Sequence, residues 1–414
     1  MTVAALSPEQ IQLIKATIPV LAEHGYTITS IFYKNMIAAH PDLNNIFNIP
    51  NQENGHQPRA LAGSLYAYAS YIDDLAALSA AVELICSKHA SLYVRPEHYD
   101  IVGKYLIEAM GLVLGDALTP EIRDAWGAAY WQLANIMITR EQQLYEQSEG
   151  WTDWRDFKIA DKVRESDEIT SFYLAPADGM PLPSFRPGQY ISVLVYVPEV
   201  NYDQPRQYSL SDKPSPDYYR ISVKKERGIE GGAPAHPGYV SNLLHDNYSK
   251  GDPIRVSHPA GDFFLSDKPS NPVVLISAGV GITSLTSILN TLTSDRANNG
   301  RPLHFIHGAR TSAVRAFKSH ISTLTQEHPS LRTTFFASQP AAEEVQGVDY
   351  QIVGHVDLAK LDANSDLFLS DENTEYYICG PTKFMTETKS SLGALGVSAD
   401  RIKMELFGTG GVPE

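Results

Sequence analysis

The spacing of apolar residues changes twice along this 414-residue chain, and each change excludes folds that the neighbouring segments permit. Up to about residue 147 apolar positions recur at steps of three and four, the signature of helices with one face against a core. Ser7-Pro8-Glu9-Gln10 supplies an N-cap serine, a proline at the first helical position and a capping-box glutamine, and Thr119-Pro120-Glu121 repeats the first two. From about Trp154 to Leu265 the period becomes two, as in "QYISVLVYV" and "YRISVKKE", with Pro, Gly and Asp between short runs. That pattern predicts a small antiparallel barrel or sandwich. Beyond residue 270 strand and helix alternate. "VVLIS" leads into a helix from Thr283 to Leu292, "LHFIH" into one from Val314 to Thr325, and "RTTFFAS" and "EYYICGP" follow as strands. Such alternation predicts a parallel, doubly wound sheet. A multidomain protein is therefore expected, with an all-α domain over 1–147, an antiparallel β domain over 154–265 and an α/β domain over 270–414. The stretch "ERGIEGGAPAHPG", 226–238, reads as a flexible loop.

Charge narrows the function classes. Acidic residues outnumber basic ones 48 to 33, for a formal charge of −15, and no dense Lys/Arg cluster is present, so no nucleic-acid partner is expected. The opening "MTVAALSPEQIQ" lacks a basic region followed by an apolar run, and the longest apolar stretches fall short of a membrane span. A cytoplasmic protein, not integral to a membrane, is the expectation. Cys86 and Cys379 are the only cysteines, which suits neither a disulfide framework nor a zinc site.

Within the helical region, Leu75, Leu78, Val82, Ile85, His89 and Leu92 fall on one stripe of a helix expected over Leu75–Tyr93. His89 thus points toward the core. Tyr99, Val102, Leu106, Ala109 and Val113 form a second stripe, off which His98 lies, so His98 reads as a solvated surface residue. Alone, His89 reads most simply as a core histidine satisfied by a backbone carbonyl. Glu141, however, shares a face with Tyr130, Leu133, Met137 and Leu144, and a buried carboxylate is costly unless paired. An imidazole N–H is a suitable partner, and such pairing would fix the tautomer of a metal-ligating histidine. Tyr99 could hold the carboxylate in turn. Tyr33 and Gln57 would make a polar ceiling over an apolar pocket of Phe47 and Leu61, although each alone reads as a boundary or core residue.

Farther on, "RPGQY" and "RQYS" place chemistry in the strand-rich region. Arg206 could neutralise a pyrophosphate, Tyr190 and Tyr208 could pack on a ring system, and Ser209 could donate to a ring nitrogen or oxygen. "VVLISAGVGITS" puts Gly279 and Gly281 between a strand and a helix, where bare backbone can approach a pyrophosphate, with Thr283 adding a hydroxyl. No acidic residue follows about 20 positions on to bind a ribose. Instead "HGARTSAVR" offers Arg310 or Arg315 to a 2′-phosphate.

Residues 1–147 resemble a globin, and more closely the globin domain of flavohaemoglobins, in "IFYKNM", "LNNIFNI", "NQENGHQPRAL", "ICSKHASLYVRPEHYDIVG", "DAWGAAY" and "ITREQQLY". The resemblance implies haem b with iron ligated by His89, with Tyr99 and Glu141 as its partners, and Tyr33, Gln57, Leu61 and Phe47 around the bound gas. From about 154 the chain resembles the ferredoxin-reductase-like module of the same family in "RPGQY", "RQYS", "GYVSNLLH", "AGDFFL", "SAGVGIT", "YYICGPTKFM" and "ELFG". This implies a β-barrel holding FAD at Tyr190, Arg206, Gln207, Tyr208 and Ser209, with Phe407 near the flavin. It also implies NADH or NADPH at Gly279, Val280, Gly281, Ile282, Thr283 and Ser284, assisted by Cys379, Gly380 and Pro381. The implied activity is nitric oxide dioxygenation, in which NO and O2 give nitrate with electrons passed from NAD(P)H through FAD to haem. Two other readings stay open: a flavohaem reductase with another acceptor such as a lipid peroxide, and a gas-binding sensor or carrier. A monomer is expected, and a lipid in the pocket above the haem is left open.

Overall fold

The structure, a computed structural model, describes residues 5–148, 150–228, 237–268, 270–295, 298 and 300–407. It divides into two compact units, the first Met1–Trp154 with Leu194–Arg206, the second Arg155–Val193 with Gln207–Gly408. Most of the loop expected over 226–238 lies outside the described residues.

The N-terminal part of the first unit is helical: α1 (Pro8–Ala16), α2 (Ile18–Ala39), α3 (Ile49–Glu53), α4 (His56–Ser70), α5 (Ser79–Ser91), α6 (Pro96–Leu114) and α7 (Pro120–Gln147). Ser7 and Gln10 form the capping box, and the Thr119 hydroxyl accepts the Ile122 N–H. The apolar stripes meet in a core that includes Ile14, Ile28, Phe32, Met36 and Trp126. The helix expected over Leu75–Tyr93 is divided, because Leu75–Leu78 wind as a tighter 3-10 turn and α5 begins only at Ser79. At its far end the Val94 N–H donates to the His89 carbonyl at 3.0 Å while Tyr93 adopts φ of 56°, a Schellman closure made without glycine. A left-handed tyrosine costs about 1–3 kcal/mol. Offsetting contacts surround it: Tyr93 stacks on Tyr145 at 6.1 Å and 13°, Trp154 meets its edge, and the Arg95 guanidinium lies over both tyrosine rings.

Short alternating runs form β1 (Arg155–Arg164), β2 (Ile169–Pro176), β3 (Tyr190–Val197), β4 (Tyr202–Ser209), β5 (Tyr219–Lys224) and β6 (Pro253–Val256), with α8 (Tyr239–Asp246) before β6. They make a six-stranded sheet in the order β4-β3-β6-β1-β2-β5, in which β1 runs antiparallel to β2 and β6, and β2 to β5. A bridge between Leu210 and Ile221 joins the chain leaving β4 to β5, curling the sheet toward closure as a barrel.

The remaining strands, β7 (Val273–Ala278), β8 (Leu303–Ala309), β9 (Leu331–Ala337), β10 (Ile352–Val353), β11 (Glu375–Cys379) and β12 (Ile402–Glu405), pair in parallel in the order β10-β9-β8-β7-β11-β12. Helices α9 (Ile282–Ser294), α10 (Lys318–Glu327) and α11 (Thr382–Ala394) complete the domain. The expected all-α, antiparallel β and parallel α/β classes are all present. Helix α10 starts four residues later than its periodicity predicts, since Ala316 and Phe317 bury themselves in a turn and Phe317 takes φ of 58°. Among the described residues no single helix is long and apolar enough to cross a membrane.

Candidate functional site

The helical unit encloses an apolar cavity of about 270 Å³ with His89 and Tyr99 in its wall. Glu141 is buried in the last helix, 2% exposed, as its position on the α7 stripe requires. Its Oε1 lies 2.8 Å from His89 Nδ1 and accepts the Tyr99 hydroxyl at 2.6 Å, and that hydroxyl sits 3.1 Å from Nδ1 as well. The carboxylate has two donors, so Nδ1 carries the proton and Nε2 is the ring nitrogen left for the cavity. Burial, followed by the charge of Glu141, pushes the Tyr99 phenol far up, so it stays a donor. Tyr99 is itself anchored: the Tyr130 hydroxyl donates to its carbonyl at 2.6 Å, and Gly103 leaves room for the Tyr130 ring.

Tyr33, Phe47, Gln57 and Leu61 line the same cavity. The Gln52 amide donates to Gln57 Oε1 at 2.8 Å, which leaves the Gln57 N–H group to meet the Tyr33 hydroxyl. Tyr33, its phenol raised by burial, thus retains its own proton to donate. Phe47 packs edge-on against the Tyr33 ring at 5.7 Å. His98 differs from the expectation of a solvated residue. It is half-buried, lines the cavity, and its Nδ1 accepts the Arg95 N–H at 2.9 Å at the start of α6. A capping role depends on an open backbone N–H and not on the apolar stripe, which is why phase analysis misses it.

Tyr190 opens β3 and is buried, its ring against Gly261, where a Cβ would approach to 2.9 Å. Arg206, Gln207, Tyr208 and Ser209 follow one another on β4. The Ser209 side-chain oxygen is buried without a hydrogen-bond partner, an uncompensated cost unless something else meets it. Phe407 follows β12 and is 40% exposed.

At the carboxyl end of β7, Gly279 takes φ of 56°, Val280 and Gly281 complete a 3-10 turn, and Ile282, Thr283 and Ser284 open α9. A Cβ on Gly281 would come within 2.1 Å of the Cys379 carbonyl oxygen, so this turn sits directly on the Cys379-Gly380-Pro381 segment after β11. Ser284 hydrogen-bonds the Cys379 thiol, whose ionisation burial pushes strongly up. The sheet places backbone N–H groups and glycines together at a strand-end crevice, the geometry for a phosphate group.

The two arginines offered to a 2′-phosphate separate. Arg315 is 5% exposed, donates to the Asp349 carbonyl at 2.8 Å and lies over Phe335, so it is a structural residue, contrary to the sequence reading. Burial lowers its pKa to about 10. Arg310 stays at the surface and pairs with Glu168. Periodicity gives no signal for Glu168 in the β1–β2 loop, or for His307, which is buried with Nδ1 2.8 Å from Ser277 Oγ and whose pKa desolvation drives down to about 3. Gln204 carries no such signal either. That side chain donates to the Asn44 carbonyl at 2.7 Å and accepts the Ile49 N–H at 3.3 Å, fixing the turn that carries Phe47.

Comparison with known proteins gives a consistent result. Residues 30–137 match the globin family and residues 275–390 the oxidoreductase NAD-binding domain. The chain is 48% identical over 412 residues to a flavohemoprotein of Bordetella pertussis, covering 98% of this chain and 100% of that one. It is 44% identical over 410 residues to a flavohemoprotein of Bacillus subtilis, covering 97% and 98%. Its structure is similar to a flavohemoglobin of Malassezia yamatoensis with bound FAD and heme, with a TM-score of 0.84, 31% identity and coverage of 98% and 100%. The FAD/NAD-binding domain of a nitric oxide dioxygenase from Vibrio cholerae matches 62% of the chain and 99% of that domain, at a TM-score of 0.54 and 36% identity.

Proposed function

Because the chain belongs to the flavohaemoprotein family, we propose that it is a nitric oxide dioxygenase in which NAD(P)H, FAD and haem b act in series. The overall reaction is 2 NO + 2 O2 + NAD(P)H → 2 nitrate + NAD(P)+ + H+. The observation that carries this reading is the His89-Glu141-Tyr99 relay in the wall of an apolar cavity, on the same chain as a glycine turn at a parallel-sheet crevice.

The residues fit the groups. A histidine whose Nδ1 proton is held by a carboxylate presents Nε2 as a strong ligand, and the cavity around it is otherwise apolar. The orphaned Ser209 hydroxyl, with the Tyr190 ring and the Arg206 guanidinium, suits an isoalloxazine and its pyrophosphate. When bound, FAD would divide a hydride's electron pair into single electrons, and haem would be the centre at which NO and O2 combine. This chain's own residues do the rest. Glu141 holds the His89 proton and gives the imidazole more imidazolate character. Tyr33, oriented by Gln57, donates a hydrogen bond toward the gas. Phe47 and Leu61 keep the cavity apolar enough to admit neutral diatomic molecules, and the 279–284 turn presents N–H groups to the nucleotide phosphates.

The deciding measurement is NAD(P)H oxidation by the purified protein under air, with and without NO, together with nitrate. A large NO-dependent burst with nitrate equal to the NO consumed is expected. Slow NO-independent oxidation, or nitrate far below the NO added, overturns the reading and favours a reductase with another acceptor or a gas carrier. Tyr33→Phe should speed O2 release about two- to thirteenfold, the worth of one hydrogen bond of about 0.5–1.5 kcal/mol. An unchanged O2 off-rate by stopped-flow would remove Tyr33 from that role.

A further inference from the structure

Two segments leave the carboxyl edge of the parallel sheet side by side. The order of the sheet reverses between β7 and β11, and the glycine turn after β7 borders the crevice there, where open α/β sheets take dinucleotides; Ala278 pairs with Gly308, so the 310–312 segment after β8 lies beside that turn on its other side. In such folds, residues beyond the second strand meet the ribose that bears a hydroxyl in NADH and a phosphate in NADPH.

Arg310 occupies that place. Its backbone is fixed, since the Gln339 N–H donates to the Arg310 carbonyl at 2.9 Å and the Ser338 N–H to the Ala309 carbonyl at 3.0 Å. Its side chain is 59% exposed and reaches the Glu168 carboxylate in the β1–β2 loop. That loop is itself seated: the Asp167 N–H donates to the Ala313 carbonyl at 3.0 Å and the Lys225 N–H to the Glu168 carbonyl at 2.8 Å. No other cation of this run is free to replace Arg310. Arg315 is buried over Phe335, and Lys318 pairs with Asp349. The Glu344 carboxylate adds a second negative group, accepting the Ser312 N–H and the Ala341 N–H.

We propose that Glu168 determines nucleotide specificity: by holding Arg310 it makes the site favour the 2′-hydroxyl of NADH over the 2′-phosphate of NADPH. The inference rests on the NAD(P)H-dependent reading above. A phosphate carrying a charge of about −1.5 to −2 can use Arg310 only by displacing Glu168, which then stands as a bare carboxylate beside it. A hydroxyl requires no such exchange. Glu168 therefore acts through Arg310 and is a positioning residue.

The test uses the full chain loaded with flavin. Anaerobic stopped-flow flavin reduction is measured with NADH and NADPH, and binding of ADP and 2′,5′-ADP by calorimetry. Wild type should favour NADH. Glu168→Gln should raise the NADPH/NADH ratio of reduction efficiency about tenfold, through nucleotide affinity and not the limiting rate, and shift the 2′,5′-ADP/ADP affinity ratio in the same direction. Adding Arg310→Ala to that variant should cancel both gains. Ratios within twofold of wild type in Glu168→Gln, or a wild type that favours NADPH, overturn the inference while leaving the nucleotide reading intact. If neither nucleotide reduces the flavin and neither ADP compound binds wild type, the nucleotide reading itself falls, and the inference with it.

Discussion

Replacement of His89 by alanine should abolish NO-dependent NAD(P)H oxidation while leaving anaerobic flavin reduction by NAD(P)H intact. His89 is the ring whose Nδ1 lies 2.8 Å from Glu141, and the rest of the lining of its cavity offers no comparable nitrogen ligand held in this way. The truncation leaves space for free imidazole, so added imidazole should restore part of the haem spectrum. Glu141→Gln retains the shape and removes the charge. Partners of this kind are worth about 10- to 100-fold in affinity or activity, and a fall of that size is expected in NO consumption, with a weakened iron–histidine stretch by resonance Raman. Tyr99→Phe should move the same band less, since it removes one donor and leaves the Glu141 contact with His89 in place. Full NO consumption by His89→Ala would refute the ligand assignment.

Gly281→Ala should have the second large effect, confined to the other half of the electron path. The added methyl would meet the Cys379 carbonyl at 2.1 Å, the Cys379 carbon at 2.4 Å and the Gly380 nitrogen at 2.8 Å, all backbone atoms that cannot rotate aside. Overpacking of this kind costs about 1–3 kcal/mol and shifts the turn. A displacement near 1 Å is enough to slow a positioned transfer about 100-fold. Flavin reduction by NAD(P)H should therefore fall by roughly that factor, while reduction by dithionite and the haem spectrum stay normal. Gly279→Ala provides the contrast. It meets nothing within 4 Å and pays only for φ of 56°, so it should be milder. Equal behaviour of the two variants would show that the close approach to Cys379 does not matter.

Phase alone reads much of the candidate site in the helical region, because His89, Tyr99 and Glu141 each sit on the apolar stripe of a helix and three stripes facing one core must meet. The glycine turn is legible for a related reason: a strand-to-helix junction without side chains has few other uses. What periodicity leaves unread depends on partners distant in sequence. His98 is occupied by a helix-start N–H, Arg315 by a carbonyl and an aromatic face, and Ser284 by a thiol on a parallel neighbour strand. Arg315 is the instructive failure. A cation two turns past a strand end resembles a phosphate ligand until burial over Phe335 is known. The start of α10 fails likewise, since the side-chain period of Val314–Phe317 is helical while tertiary packing bends the segment into a turn.

The Tyr93 closure has a consequence for how the protein is made. It joins the end of α5 to Tyr145, while His89 meets its carboxylate 52 residues later, so both of these contacts belong to α7. At synthesis rates of about 5–20 residues per second, roughly 3 to 10 s separate the appearance of His89 from that of Glu141. During that interval a nascent chain carries an imidazole with neither its carboxylate nor its tyrosine stack. With His89 as the proposed haem ligand, capture of the haem in its mature geometry would wait for α7, and translation would set the earliest moment at which that centre can be assembled.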